Sequence, residues 1–180
     1  MMLTQLRHSV GLLAARYRFR RSPEEVISFT SAVSSSRTVL VILPFNTQEI
    51  QSTTLVIEFL KNRFRGENIT LVSGSHSVDI IRALPRSQFL HIVPGDIDSF
   101  FLPRKELLLR IRTRPCELAI DLNLDFLLPS GYICRASGAR VRVGFTRRRA
   151  EVFYNFLIRP DPTLARKLIY DRLANCLDKF

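Results

Sequence analysis

Residues 115–145 read PCELAIDLNLDFLLPSGYICRASGARVRVGF, and the fold class follows from this stretch. Residues 117–122 form a short apolar run with Asp121 near its end and predict a strand. Residues 129–137 suit a short helix, with Pro129 in its first turn and Gly138 where a left-handed stop is wanted. Residues 141–145 alternate apolar and basic side chains and predict a second strand. A strand, a crossover helix and another strand make a parallel α/β unit, whose ligand crevice lies at the carboxyl ends of the strands. Asp121 and Asn123 fall at such an end.

The same alternation extends on both sides. Residues 37–43 (RTVLVIL) predict a buried strand, and residues 47–64 predict a long helix with Asn46 or Thr47 as cap and Gly66 as its stop. Residues 68–73 and 89–93 predict strands, and residues 78–84 and 103–113 predict helices. After Phe145 the basic run Thr146-Arg147-Arg148-Arg149 leads to residues 152–158 (VFYNFLI), a sixth strand, and then to a last helix ending near Leu177. Repeated β-α units with no internal repeat argue for one doubly wound, mainly parallel sheet over residues 37–180.

Residues 1–36 are expected to be an added helical hairpin. Residues 4–21 predict a helix whose apolar face is Leu6, Val10, Leu13 and Tyr17. Arg16, Arg18, Arg20 and Arg21 load its end, where cations suit the helix dipole. Such a helix can dock on the domain by its apolar face or lie on an anionic membrane, and docking is the preferred reading. Ser22-Pro23-Glu24-Glu25 has the form of a capping box and opens a second helix to about Ala32, with Ser34-Ser35-Ser36 as a polar break.

The chain has 180 residues, enough to bury a core without disulfides or metal. No window approaches a membrane-spanning length of apolar residues, and Arg7, His8 and Arg16 interrupt any secretory signal, so a cytoplasmic protein is expected. Cys116, Cys134 and Cys176 show no metal spacing and read as reduced thiols. Lys+Arg of 27 against Asp+Glu of 16 gives a net charge of +11 and suggests an anionic partner. His8, His76 and His91 are scattered, and no catalytic motif stands out from spacing alone. Asp121 and Asp125 could order a loop or bind a polyol. The loop 44–46 followed by a helix start could offer backbone N–H groups to an anion, although it has no glycine and is not a phosphate-binding fingerprint.

Ile120-Asp121-Leu122-Asn123 followed by Ser137-Gly138-Ala139-Arg140-Val141-Arg142-Val143-Gly144-Phe145 resembles a pattern of the bacterial lipopolysaccharide heptosyltransferases, glycosyltransferase family nine. Residues 39–60, with the Thr53-Thr54 pair, are similar to that family's opening strand, loop and helix. The resemblance implies a Rossmann-like α/β domain, one half of a GT-B arrangement. In that family the N-terminal half holds a phosphorylated, lipid-linked sugar acceptor and the other half holds an ADP-sugar donor. The family's catalytic base is the aspartate of a Gly-Asp pair; here those positions read Gln48-Glu49. Glutamate can still accept a proton, but its longer side chain displaces the oxygens, and the lost glycine removes close approach.

The length matches one half of such a protein. The expected function is therefore a stand-alone, acceptor-side binding or scaffold module linked to the cell envelope, inactive alone and free of cofactor or metal. Its partners would be an anionic glycolipid, a phosphorylated sugar or a protein supplying the donor half, with peripheral contact at the inner membrane. A split transferase using Glu49 as base is the second reading. Nucleic-acid binding is the third, motivated by the net charge of +11 and by six arginines and no acid in residues 126–150, although Arg140 and Arg142 belong to the strand motif. The residues expected at the site are Glu49 as base and Asn46, Thr47, Gln48, Ser75, Asp121, Asn123, Arg147 and Arg148 as ligand contacts.

Overall fold

The computed structural model describes residues 2–21, 27–74 and 78–180. Its centre is a six-stranded, all-parallel sheet in the order β3-β2-β1-β4-β5-β6. The strands are β1 (Val39–Ile42), β2 (Ile69–Ser73), β3 (Gln88–His91), β4 (Leu118–Asp121), β5 (Val141–Phe145) and β6 (Phe156–Ile158). The helices are α1 (Met2–Phe19), α2 (Phe29–Ser35), α3 (Thr47–Ile50), α4 (Thr54–Arg63), α5 (Val78–Ala83), α6 (Lys105–Arg112), α7 (Leu128–Ala136) and α8 (Arg166–Asp178). This is the doubly wound, Rossmann-like architecture expected from the sequence.

The period-two pleat explains the layers. Val39, Val41, Leu43, Leu71, Ile120 and Val143 face one side and pack with α2, α4, α5 and α8. Leu40, Ile42, Val72 and Ala119 face the other and pack with α1, α6 and α7. Each β1 residue is fully buried, as a strand covered on both faces must be.

Several expectations are corrected. The two N-terminal helices do not form a hairpin: Leu12 and Ala15 of α1 lie in one layer and Val33 of α2 in the other. Helix α1 docks through Gly11, Leu12 and Ala15, while Leu6, Val10, Leu13 and Tyr17 are exposed. Gly11 explains the choice, because a Cβ there would collide with the Phe100 carbonyl oxygen. The capping box at 22–25 lies outside the described residues. Ser34 and Ser35 continue α2, with their hydroxyls bonding back to carbonyls three or four residues earlier. The long helix at 47–64 is broken by a tight turn at Gln51–Thr53, where the Thr53 and Thr54 hydroxyls donate to the Ile50 and Gln51 carbonyls. It ends at Arg63, one residue short of the expected Phe64, and Gly66 opens a further tight turn over Gly66–Asn68. The run 152–158 is a strand only over Phe156–Ile158; Phe153 and Tyr154 turn inward and are buried.

Candidate functional site

The connections leave β1 and β4 in opposite directions, to β2 and to β5, so the switch point lies between them. Ile42 pairs with Asp121 in register, so the two strands end together. Asn123 ties the ends to each other. Its Oδ1 accepts from the Phe45 N–H at 2.9 Å, and its Nδ2 donates to the Asp121 carboxylate at 2.7 Å and to the Leu43 carbonyl at 3.4 Å.

Asp121 is buried, and all its bonds are internal. Oδ1 accepts from the N–H and Nδ2 of Asn123, and Oδ2 accepts from the Tyr154 hydroxyl at 2.5 Å. Burial raises its pKa, against hydrogen bonds from Ser130, Tyr154 and Asn123 that lower it. Burial also raises the Tyr154 phenol well above its ordinary value, with the neighbouring Asp121 acting in the same direction.

The 137–145 motif builds this arrangement. The Ser137 hydroxyl donates to the Cys134 carbonyl and accepts from the Ala139 N–H, and Gly138 takes the left-handed φ of 82° expected of the helix stop. The Arg142 guanidinium is buried and donates to the carbonyls of Phe153 and Ala139. Gly144 lets the Tyr154 ring lie against the strand, since a Cβ there would be 2.7 Å from a ring carbon. The most specific stretch of the sequence is thus a framework that delivers Tyr154 to Asp121.

Glu49 lies beside the crevice and is only 6% exposed. Its Oε2 accepts from the Tyr170 hydroxyl at 3.0 Å; Oε1 faces Asn46 Nδ2 at 3.3 Å and the Arg166 guanidinium at 3.6 Å. Tyr170 also donates to the Leu122 carbonyl at 2.7 Å. Helix α8 therefore reaches the crevice and covers the glutamate. Burial and the Glu49 carboxylate push the Tyr170 phenol far up.

Asn46, Thr47 and Gln48 are exposed on the rim. Their amides do not form an anion cradle: Gln48 N–H donates to the Asn46 side chain, Glu49 N–H to the Asn46 carbonyl and Phe45 N–H to Asn123. Arg147 is half-buried and Arg148 exposed, both just beyond the end of β5 on the crevice edge of the sheet. Ser75 and His76 lie outside the described residues. Asp125 is exposed and apart from the Asp121 network. His8 packs edge-on to Phe101.

The structure thus brings Asp121, Asn123, Asn46 and Glu49 to one end of the sheet. Tyr154, Tyr170, Ser130 and Arg166, which sequence reasoning did not single out, join them there. Among the described residues no group of three or more His, Cys, Asp or Glu is placed to hold a metal ion. No described helix is long and apolar enough to cross a membrane.

No protein-family model and no curated protein matches the chain. Among solved structures, the chain is similar to the glycosyl transferase family 9 crystal structure from Veillonella parvula, at 17% identity and a TM-score of 0.55. The match covers 78% of this chain and 41% of that one, so this chain spans about two-fifths of the length of its structural relative. The likeness shows the fold: one glycosyltransferase-like, Rossmann-type α/β unit, of the kind that forms half of a GT-B glycosyltransferase.

Proposed function

We propose that this unit is the acceptor-side half of a heptosyltransferase-like protein and binds an anionic sugar ligand at the switch-point crevice without supplying a catalytic base. The observation that carries the reading is the state of Glu49. A general base needs an open approach to the proton that it removes. Glu49 is 6% exposed, and both oxygens face side chains of the chain itself. Its role is to anchor α8. The ligand side of the reading rests on the rim, where Asn46, Thr47 and Gln48 offer polar groups and Arg147 and Arg148 offer charge. A phosphorylated cell-envelope sugar or glycolipid headgroup has that complementary chemistry, and lipopolysaccharide assembly at the inner membrane is the setting that the family resemblance suggests.

The test is a titration with a hexose phosphate and its unphosphorylated counterpart, alongside a transfer assay with an ADP-sugar. Preferential binding of the phosphorylated sugar, weakened at least about fivefold in Arg147→Gln/Arg148→Gln and accompanied by no transfer, is the expected result. Equal affinity for both sugars removes the ligand reading, and transfer abolished by Glu49→Gln removes the non-catalytic one. The split-transferase alternative requires α8 to swing away, and the half-exposed Arg166 at 3.6 Å is the contact that would have to open. The nucleic-acid reading loses Arg142 from its arginine group, because that guanidinium is buried against backbone carbonyls.

A further inference from the structure

The docked face of α1 leaves a second apolar face outward. Leu6 is 62% exposed, Leu13 64% and Tyr17 74%, and Leu3 and Val10 continue the same stripe. At 100° per residue this stripe is opposite Gly11, Leu12 and Ala15, which hold the helix to the domain. The arginines flank it. Arg16 falls along one margin and Arg7 along the other, and Arg20 and Arg21 follow directly on the last helical residue, all four exposed. Residues 2–21 contain no Asp or Glu. A concavity at the C-terminal end of the stripe is lined by Leu13, Tyr17 and Phe19 together with Arg16, Arg20 and Arg135.

We propose that α1 is a bilayer-surface helix: one face is fastened to the α/β domain, and the opposite face seats on an anionic lipid surface. The leucines and Tyr17 enter the headgroup–acyl boundary, and the flanking guanidiniums reach lipid phosphates while their stems stay in the apolar zone. This occupant fits the pattern of charge better than the others. A second copy pairing stripe to stripe would bring the arginines of residues 2–21 of each copy together with no acid in either segment to meet them. A phosphodiester chain would satisfy the arginines but leave the leucine stripe between them without an apolar partner. The helix lies flat rather than spanning, consistent with its being too short of uninterrupted apolar residues to cross.

The full chain is sedimented with vesicles of phosphatidylcholine alone and of an equal mixture with phosphatidylglycerol, across a salt series. Binding to the mixed vesicles, at least about tenfold stronger than to the neutral ones and weakening with salt, is expected. Arg16→Gln/Arg20→Gln should weaken it about 25-fold, roughly fivefold for each arginine near the surface. Leu6→Ser/Leu13→Ser should weaken it at least about tenfold at constant charge, with thermal melting unchanged because both positions are exposed. Should that pair fail to fold, Tyr17→Ser reads the same stripe. The proposal is overturned by absence of binding at low salt or by binding that ignores the leucine changes. It is equally overturned by a dimer in sedimentation equilibrium that the leucine pair dissolves, or by tighter binding of single-stranded RNA than of vesicles at matched salt.

Discussion

Adding one methyl group at Gly144 should test how the family-like motif works. The new Cβ would stand 2.7, 2.8 and 2.9 Å from three ring carbons of Tyr154. Real carbon–carbon contacts lie near 3.5–4 Å, so the ring has to move by most of an ångström. It is poorly placed to do so, being buried and tied through its hydroxyl to Asp121 at 2.5 Å. Overpacking of this kind costs about 1–3 kcal/mol. Losing the hydroxyl from the buried carboxylate adds about 1–3 kcal/mol. Gly144→Ala should therefore destabilise the chain by about 2–6 kcal/mol, read as a lower midpoint in urea at unchanged slope. The decisive measurement is a double-mutant cycle with Tyr154→Ala, which removes the ring and its hydroxyl together. If the methyl acts through the ring, Gly144→Ala costs much less in that background, with a coupling of about 1–3 kcal/mol. A single-variant cost below about 0.5 kcal/mol, or costs that add, would show that Tyr154 is not held as described.

Two further outcomes follow from buried ionisable groups. Burial raises the folded-state pKa of Asp121 above its ordinary value of 3.8, so its contribution to stability is complete below that value and is lost as pH rises through the raised one. Urea melts across that window should show wild-type stability falling relative to Asp121→Asn as pH rises; a difference that is flat in pH would refute the assignment. Burial also pushes the Cys116 thiol from 9.0 up to about 11, which lowers its thiolate fraction at neutral pH by roughly 100-fold. In the native chain, alkylation of Cys116 should lag that of an unfolded control by at least about that factor, and comparable rates would contradict the burial.

The sheet was legible because its central strands are short apolar runs, such as VLVIL at 39–43 and LAI at 118–120, separated by helical periodicity. The run 152–158 has the same composition but misled, because apolarity marks burial and not extension: Phe153 and Tyr154 are buried from a turn. Helix α1 misled for a related reason. Both its faces are apolar, and counting large side chains selected the wrong one. Close docking instead used the small residues Gly11 and Ala15. At the site, Asp121 and Asn123 could be read as strand-end polar residues. Their meaning could not, because Tyr154 is 33 positions from Asp121 and Tyr170 is 121 positions from Glu49. No local spacing encodes partners that only the packing of β5, β6 and α8 brings near.

The way α1 is fastened also sets a timetable. Its contacts are made with late parts of the chain: Phe19 packs tilted against Tyr132 and edge-on to Phe153, and Gly11 lies against Phe100. At ~5–20 residues per second, on the order of ten seconds separates the synthesis of Phe19 from that of Phe153. Through that interval the helix has emerged but its seat does not exist, so both apolar faces are open at once. A nascent chain in this state offers the exposed apolar stripe of α1 to the nearest surface before it has a domain to fold onto. Long-range closure of this kind is intrinsically slow. The order of events, surface first and sheet second, would then be written into the position of α1 ahead of the sheet strands.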